Sequence, residues 1–510
     1  MLAQYIQEVQ TLILSFHPLL VIETVEEERV QAILQQATKD MNLALYEWTI
    51  VQGLVRPSNP TSRWKNEYAP PNSNKPVAAD NTQDPSQLLQ HIEDMDTSGI
   101  FWLKDFGKHL DDPAIVRRLR DLIDEFVHSR SAIVMTGNNL EIPPEISHNA
   151  VYFDLKLPSI DELSQATKDA LRVLKMRHRK QIDLPDDDMN NIVRSLSGMT
   201  LQQARQVLAY AAFEDGKLDA SDVQLILKRK AQVIREESVL EYFPTSSFKT
   251  ELGGFSGLKS WLGFAKVGYS DQAKSFNIQG PKGILIVGIQ GCGKSLAAKA
   301  IARAWKIPLL KLEAGRLFDK YVGESERNFR QAVTLAESMA PAVLWIDEIE
   351  KGFSNSGSEG DGGLSQRMFG FFLTWMQEKS EEVFVVATAN DISQIPPELL
   401  RKGRFDEIFF VDLPGAEERL SILKIHLRQH KQPWDSLDLG ALVNATEGFS
   451  GAEIEQVVIT TLYHALYHQR RADTDSYVKQ ARSIIPLSIS RREDVQLLRN
   501  LAKERFVSAQ

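Results

Sequence analysis

The hydrophobic pattern of the second half of the chain predicts a parallel sheet covered by helices. Five short, nearly continuous apolar runs alternate with stretches of helical periodicity. These runs span residues 284–287, 309–312, 343–346, 383–387 and 408–411. Strands that are apolar at every position are buried on both faces, as in parallel sheets between two layers of helices. From about residue 417 onward the pattern is mostly helical, which predicts a small helical subdomain.

The pattern of the first half predicts a separate domain with one long polar segment. Residues 57–85 are rich in Pro, Asn, Ser and Asp, so we expect a mobile loop there. A helical pattern from about 222 to 242 contains the basic run 228–230, interpreted as a solvated helix face. Turn-forming residues follow at 244–247. The predicted domains are therefore 1–243, 244–415 and 416–510.

Four short matches between the two halves, in the same order and roughly 250 residues apart, indicate an ancient duplication. The matching pairs are Ile142-Pro143-Pro144-Glu145 with Ile395-Pro396-Pro397-Glu398, Asn138 with Asn390, Leu157-Pro158 with Leu413-Pro414, and Gly198-Met199-Thr200 with Gly448-Phe449-Ser450. We interpret the first half as a degenerate copy of the second.

Composition argues against several classes of protein: nucleic-acid-binding, disulfide-bonded, membrane-spanning and secreted. The 59 Lys and Arg against 68 Asp and Glu give a net charge of −9, so nucleic acid is an unlikely partner. A single cysteine, Cys292, excludes an intramolecular disulfide and fits a reducing compartment. No apolar run approaches the ~18 residues of a membrane span, and the first residues, 1–14, do not resemble a signal peptide.

One eight-residue segment has the composition and setting of a phosphate-binding loop. It has the form G-x4-G-K-S, between the predicted strand 284–287 and a helix-forming stretch. Its residues are Gly288, Ile289, Gln290, Gly291, Cys292, Gly293, Lys294 and Ser295. Glycines let backbone amides surround a phosphate, and the helix directs its positive end at the anion. We expect Lys294 to contact the β- and γ-phosphates of ATP and Ser295 to bind Mg2+; a glycine-rich turn without a ligand is the alternative.

Two other predicted strands end on residues suited to nucleotide hydrolysis. The run 343–346 continues into Asp347 and Glu348, and the run 383–387 is soon followed by Asn390. Beside a phosphate loop, we expect Asp347 to hold Mg2+ through water and Glu348 to activate the attacking water. Asn390 would hydrogen-bond that water or the γ-phosphate, although by itself it is also an ordinary turn residue.

Residues 248–510 resemble an AAA-type ATPase module of the AAA clade, which implies the fold. That fold is α/β, a P-loop NTPase with a doubly wound parallel sheet and a helical lid, here preceded by the degenerate AAA-like domain. Leu252-Gly253-Gly254 resembles the segment that borders adenine, and Gly451-Ala452-Glu453-Ile454 resembles the lid-helix signature. Arg401 and Arg404 stand where the family keeps its arginine fingers, which act on a neighbouring protomer. Two surface arginines in a loop are the plainer alternative.

The resemblance also implies an assembly and a substrate class. Tyr321, Val322 and Gly323 resemble the loop by which AAA rings grip polypeptide, although Tyr321 could equally be a core residue. Residues 354–363 are rich in Gly, Ser and acids and suggest a second pore-facing loop. The implied protein is a homo-oligomer, a hexamer, that uses ATP and Mg2+ to remodel or translocate a protein client.

Residues 347–353, 362–368 and 486–488 are similar to hypothetical open-reading-frame AAA proteins of chloroplast genomes and cyanobacteria. This closer resemblance spans the whole chain. It implies a cyanobacterial cytoplasmic protein, or a stromal one if plastid-encoded, with a client in photosynthetic or carbon-related metabolism. No residue identifies that client.

The first half lacks the residues that hydrolysis requires. Its strand 19–22 runs into the acidic segment 23–28, which repels phosphate, and Lys104 aligns with Asp347. The Pro-Pro turn is followed by residues 146–149, which contain no arginine. We expect a scaffold or binding module there.

Two alternatives to a remodelling ring remain open. A nucleotide-timed binding switch would tolerate the loss of Tyr321, whereas a remodeller would not. A nucleic-acid motor would require salt-sensitive binding to single strands, which the acidic composition disfavours.

Cys292 allows two interpretations. A helix N-terminus favours thiolate and can lower a thiol pKa, so oxidation there would switch the ATPase off. Alternatively a small side chain simply fits the loop, and we favour this second interpretation.

Overall fold

The structure is a computed structural model that describes residues 2–510, with several gaps. The gaps are residues 57–78, 80, 96–97, 139, 178–180, 183–184, 215–216, 220–221, 245–250, 314–323, 354–363, 380–381, 402 and 504. The chain forms two compact units, Met1–Arg179 with Met199–Tyr210, and Lys180–Gly198 with Ala211–Gln510.

Helices and strands alternate along most of the chain. The helices are α1 (Leu2–Leu14), α2 (Glu27–Met41), α3 (Pro85–Glu93), α4 (Pro113–Phe126), α5 (Pro144–Ser147), α6 (Ile160–Arg177), α7 (Asp186–Leu196), α8 (Leu201–Glu214), α9 (Val223–Glu237), α10 (Ser256–Ala265), α11 (Asp271–Ser275), α12 (Lys294–Trp305), α13 (Glu324–Ser338), α14 (Ile349–Phe353), α15 (Leu364–Glu378), α16 (Ala416–Gln429), α17 (Leu439–Ala445), α18 (Gly451–Tyr467), α19 (Thr474–Ser483), α20 (Leu487–Ser490) and α21 (Arg492–Ala502). The strands are β1 (Leu19–Glu23), β2 (Ala44–Thr49), β3 (Gly53–Val55), β4 (Gly99–Lys104), β5 (Ala132–Gly137), β6 (Ala150–Tyr152), β7 (Gln181–Ile182), β8 (Lys217–Leu218), β9 (Leu240–Phe243), β10 (Gly283–Gly288), β11 (Leu309–Glu313), β12 (Ala342–Asp347), β13 (Val383–Ala389), β14 (Glu407–Val411) and β15 (Val507–Ser508).

The C-terminal unit is built on a seven-stranded sheet in the order β15-β14-β10-β13-β12-β11-β9. Only β9 is antiparallel, to β11, and all the other pairs are parallel. All five predicted strands are present, so the predicted α/β fold class is confirmed. The helices α16 to α19 pack around their own apolar core, which contains Leu423, Phe449 and Ile454, and form the predicted helical subdomain.

Both faces of this sheet are buried, as its continuous apolar strands predict. In β10, Leu285 and Val287 contribute to the core on one face, and Ile284 and Ile286 to the core on the other. All four side chains are fully buried. Each such burial stabilises the fold by ~1.5–3 kcal/mol, which holds the functional edge of the sheet in place.

The segment before the predicted domain boundary differs from the prediction. The predicted helix ends at Glu237, and residues 240–243 instead form β9, the edge strand beside β11. The basic run is not a uniformly solvated face, because Lys230 is only 2% exposed and its ammonium lies 4.8 Å from the ring centroid of Tyr242. Burial lowers the pKa of Lys230 to about 7. The domain limits 1–243, 244–415 and 416–510 remain predictions.

The N-terminal unit repeats the strand order of the C-terminal one. Its sheet has the order β3-β2-β4-β5-β1-β6. Five adjacent strands, β2-β4-β5-β1-β6, correspond in that order to β11-β12-β13-β10-β14 of the C-terminal sheet. The registers also agree: Trp102 lies opposite Val134, as Trp345 lies opposite Val386. Two sheets with one topology and one register are what a duplication produces, and this supports the repeat found in the sequence.

The predicted loop at 57–85 lies mostly outside the described residues, but its last residues are not a mobile loop. Thr82 is 1% exposed, and its carbonyl oxygen accepts a 2.6 Å hydrogen bond from Nε1 of Trp48. Its hydroxyl accepts a 2.8 Å hydrogen bond from the backbone N–H of Leu54. The polar composition hid this packing because Thr82 is buried through hydrogen bonds.

An ion-paired cluster occupies the place in the N-terminal unit that corresponds to the phosphate loop. Only residues 24–26 separate β1 from α2. Arg29, 3% exposed, donates to Glu26 at 2.8 Å, to Glu162 at 3.0 Å and to the Lys156 carbonyl at 2.7 Å. Glu26 also accepts a 2.7 Å hydrogen bond from the backbone N–H of Leu201. The cluster therefore links the strand end, the helix α2 and the segment that begins α8.

Within the part of the chain that the structure covers, no helix is both long and apolar enough to cross a membrane.

We expect Arg29→Ala to destabilise the N-terminal unit by ~3–5 kcal/mol, because it leaves two buried carboxylates without their cation. Denaturant unfolding, with hydrogen exchange to locate the change, measures this. The matched control is Arg205→Ala, since Arg205 is 44% exposed and pairs with Glu28, itself 75% exposed. That pair should contribute less than ~1 kcal/mol. Equal effects of the two substitutions would contradict the structural role of the cluster.

Candidate functional site

The C-terminal unit contains a cavity of about 340 Å³ at the carboxyl edge of its sheet. The strand ends, the loop after β10 and the lid helices α16 and α18 all contribute to its wall. The predicted site residues in that wall are Gly253, Gln290, Gly291, Cys292, Gly293, Lys294, Ser295, Asp347, Glu348, Asn390 and Ala452. The volume suits a nucleotide-sized ligand.

The loop between β10 and α12 has a conformation that requires glycine. Gly291 and Gly293 have φ angles of 78° and 90°, in the left-handed region that side chains disfavour. Gly288 is needed for space instead, since a Cβ there would lie 2.1 Å from the carbonyl oxygen of Val411. The loop therefore turns sharply from the strand into the N-terminus of α12, where backbone N–H groups attract anions.

Lys294 lies inside this loop. Its Nζ donates to the carbonyl oxygens of Gly288 at 2.8 Å and Ile289 at 2.9 Å. Burial lowers the pKa of Lys294 to about 8, while nearby acids including Glu350 act in the opposite direction. Gly288 and Ile289 thus contribute to the site through their backbone carbonyl groups, although neither residue lines the cavity.

The strand ends of β12 and β13 meet directly. Asp347 Oδ1 accepts a 2.7 Å hydrogen bond from the hydroxyl of Thr388, the residue at the corresponding level of β13. The same hydroxyl accepts from the backbone N–H of Glu348 at 3.3 Å. The sequence analysis assigned no role to Thr388. The signal was available, because parallel pairing places residue 388 beside residue 347.

Glu348 is held by two neighbours. Its Oε1 accepts from Nδ2 of Asn390 at 3.1 Å, and its Oε2 pairs with Nζ of Lys351 at 2.5 Å. Its φ of 53° lies in the left-handed region, which is uncommon for a residue with a side chain. Asn390 therefore contacts the carboxylate of Glu348 directly, an interaction that the sequence did not predict.

A third acid, Glu350, lies beneath this pair and was missed by the sequence analysis. It is 4% exposed, and its Oε1 accepts a 2.9 Å hydrogen bond from the backbone N–H of Asn390. Burial raises the pKa of Glu350. Because it fixes the backbone of Asn390, it positions the amide that contacts Glu348.

The lid closes the other side of the cavity. Ala452, at the start of α18, donates its backbone N–H to the carbonyl oxygen of Gly291 at 3.0 Å. Gly253 lies against α16, where an added Cβ would be 3.1 Å from Ile422. His426 also lines this part of the cavity, and burial lowers its pKa, which favours the neutral ring. Together these residues form the part of the cavity wall beside the phosphate loop.

Other predicted residues lie away from the cavity or outside the described part. The described cavity wall does not include Arg401 or Arg404. Arg401 is exposed, and Arg404 donates from Nη1 to the carbonyl oxygen of Leu373 at 2.9 Å. Tyr321, Val322 and Gly323 fall among the residues that the structure does not describe.

A mostly parallel sheet with a glycine-rich loop and a lysine after β10, closed by a helical lid, defines a P-loop nucleoside triphosphatase. Residues 284–413 match the family described as "ATPase family associated with various cellular activities (AAA)", and residues 436–480 match the AAA+ lid domain. Residues 5–155 and 161–237 match the N-terminal and second domains of SpoVK-like AAA ATPases.

Full-length relatives give the same result. The chain is 35% identical over 98% of its length to an "Uncharacterized AAA domain-containing protein ycf46" of Guillardia theta, covering 95% of that protein. It is 36% identical over 97% of its length to the ycf46 protein of Pyropia yezoensis, covering 96% of it. The chain therefore belongs to the AAA ATPase family, and the proteins most like it in these comparisons include ycf46 proteins from plastid genomes. It binds nucleotide and hydrolyses ATP.

The structure contradicts the activated-thiol interpretation of Cys292. The side chain is only 7% exposed, and its Sγ lies 3.9 Å from the carbonyl oxygen of Gln290. Burial raises the pKa of Cys292 to about 12, although the nearby Lys294 acts to lower it. Burial outweighs the helix N-terminus because Cys292, although it borders the cavity, belongs to the buried apolar cluster around α12. The small-side-chain interpretation is the one that this geometry supports.

We expect Cys292 in the folded protein to react with iodoacetamide at pH 7.5 at least ~100-fold more slowly than a free thiol, since almost no thiolate is present. The thiolate fraction, and hence the rate, should increase with pH throughout the range in which the protein stays folded. Mass spectrometry of the tryptic peptide measures the rate, with urea-unfolded protein as the reactive control. Similar rates in folded and unfolded protein would revive the redox hypothesis.

Proposed function

We propose that the chain works as a ring-forming homo-oligomer, a hexamer, that couples ATP hydrolysis to remodelling or translocation of a protein client. The observation that carries the proposal is the convergence of Lys294, Glu348 and Asn390 on one cavity beneath a helical lid. A lid that contacts the phosphate loop through Ala452 can transmit the state of the phosphates to the rest of the subunit.

In this proposal each element of the site has one task. The backbone N–H groups of the loop and the Lys294 ammonium bind the β- and γ-phosphates. Glu348 accepts the proton of the attacking water, and Asn390 keeps the carboxylate aimed at it. Glu348 must first leave Lys351, whose ammonium now occupies one of its oxygens at 2.5 Å.

The residues also suit Mg2+. Ser295 and Asp347 line the same cavity, and hydroxyl and carboxylate oxygens are the hard donors that Mg2+ prefers. Ser295 would bind the ion directly and Asp347 would hold it through a water molecule. When bound, Mg2+ neutralises negative charge on the phosphates during transfer.

Arg401 and Arg404 support the oligomeric part of the proposal. Hydrolysis needs positive charge on the transferred phosphoryl group, yet neither arginine contributes to the described cavity wall of its own subunit. A neighbouring subunit would present them. In such a ring the acidic composition favours a protein client over nucleic acid, and Tyr321, Val322 and Gly323 would grip it.

The ycf46 relatives, which come from plastid genomes, support a setting in the chloroplast stroma or the cyanobacterial cytoplasm. A client in photosynthetic or carbon-related metabolism is part of the same proposal and rests on that setting alone. A nucleotide-timed switch without threading remains the second candidate, since the hold of Lys351 on Glu348 would slow turnover.

Glu348→Gln should retain ATP binding and lose at least ~100-fold in turnover, because it removes the base but leaves the phosphate loop. Lys294→Ala should abolish ATP binding by the whole chain, since the N-terminal unit has ion-paired side chains in place of a phosphate loop. Calorimetry and phosphate release measure the two effects. Unchanged turnover in Glu348→Gln would refute the assignment of the base, and residual stoichiometric binding in Lys294→Ala would reveal a second site.

Arg404→Ala should lose most ATPase activity while keeping nucleotide affinity, and specific activity should rise with protein concentration. Light scattering under assay conditions reports the assembly. A control is Arg330→Ala, because Arg330 is 55% exposed and pairs within its own helix with Glu326. A fully active monomer would contradict the proposed ring.

A further inference from the structure

A lysine on the neighbouring strand β11 lies close to the carboxylate of Asp347, the predicted metal-binding residue. Lys311 lies on β11, and its Nζ is 3.7 Å from Oδ2 of Asp347 and 2.7 Å from Oε1 of Glu313. Its side chain is 16% exposed, and its ammonium lies 4.9 Å from the ring centroid of Trp345. Register pairing also places Glu241 of β9 opposite Lys311.

The environment keeps this lysine charged. Burial opposes the charged form, but the hydrogen bond that Lys311 donates to Glu313 and the charges of Glu313, Asp347 and Glu241 outweigh burial, and the pKa of Lys311 is raised. A permanent positive charge is therefore fixed beside Asp347. Since Thr388 donates to Oδ1 and Lys311 pairs with Oδ2, both oxygens of this carboxylate already have a partner within the subunit.

The N-terminal unit contains the same pair with its charges reversed. Lys104 stands at the strand position of Asp347, two residues after the shared tryptophan, and its Nζ is 3.4 Å from Oε2 of Glu47. Glu47 lies opposite Trp102 on β2, just as Lys311 lies opposite Trp345 on β11. In both units the lysine also lies over the tryptophan ring, at 3.9 Å for Lys104. Each unit thus has a carboxylate and a lysine at these two positions. The recurrence shows that opposite charges at this pair of positions are a feature of both sheets.

We propose that Lys311 is a positioning residue that weakens the hold of Asp347 on Mg2+. This inference rests on the proposed function, because it takes the Mg2+ role of Asp347 from there. A carboxylate that is partly neutralised by an ammonium attracts a divalent cation less strongly, and the ammonium itself repels the cation. Asp347 would therefore contribute little to holding Mg2+ on a bound nucleotide, and Ser295 would be its main protein ligand. Weaker retention by this carboxylate would ease release of the diphosphate product together with the ion.

The test is the Mg2+ dependence of ADP affinity, which does not require turnover. Calorimetry gives the Kd of ADP in roughly 5 mM MgCl2 and in excess EDTA. The ratio of the two Kd values isolates the contribution of the metal ion. For Lys311→Met, which keeps the chain length and the contact with Trp345, the preference for Mg2+ should rise roughly tenfold. Lys311→Arg keeps the charge and should stay within about threefold of the wild type.

Lys282→Met is the matched control. It removes the same charge from the same sheet, but Lys282 precedes β10 at the opposite edge, about 20 Å from the site by the rise of a six-residue strand. Its Mg2+ preference should equal that of the wild type. If Lys311→Met does not fold, as judged by circular dichroism, Lys311→Gln serves in its place with the same expected direction.

An unchanged or reduced Mg2+ preference in Lys311→Met, with ADP binding intact in EDTA, would overturn the inference. Failure of the proposed function has a different signature. In that case the wild-type protein and both Lys311 variants would bind no ADP in either buffer.

Discussion

The site depends on parallel strand pairing. Because β10, β12 and β13 are neighbours that run in one direction, their carboxyl ends lie at one edge of the sheet. The phosphate loop, Asp347 and Asn390 come from segments far apart in the chain, and this pairing brings them to the wall of one cavity. The apolar residues that cover both faces, such as Ile284 and Leu285, fix the register and therefore the geometry of the site.

The sequence was sufficient for features that depend on local pattern and much weaker for those that depend on neighbours. Continuous apolar runs identified the five strands, and glycine spacing identified the loop. Thr388 and Lys311 were missed because their roles come from strands beside them, not from their own flanking residues. Lys230 was misjudged because a basic run indicates solvated charges, whereas burial lowers the pKa of this lysine. For Cys292 the favoured interpretation, a small side chain that fits the loop, agrees with the burial that raises the pKa of its thiol.

The two units show how one topology can support or lose a nucleotide site. In the N-terminal unit the strand-to-helix connection is short, and Arg29 is neutralised by Glu26 and Glu162 inside it. Such a cluster satisfies its own charges, so it offers no free cation to a phosphate. In the C-terminal unit, the partners of the Lys294 ammonium among the described residues are the neutral carbonyl oxygens of Gly288 and Ile289, which leaves its positive charge available.

Charge balance explains why the catalytic edge can carry so many acids and still bind a polyanion. Asp347, Glu348 and Glu350 would together repel a nucleotide strongly at such short range. Each is offset differently: Asp347 by Lys311, Glu348 by Lys351, and Glu350 by burial, which raises its pKa. The two lysine partners also differ in how firmly they are held. Lys311 is held by a second acid and stacked on Trp345, whereas Lys351 is 58% exposed and can leave. In the proposed mechanism, nucleotide binding frees the base Glu348 from Lys351, whereas Asp347 keeps its contact with Lys311.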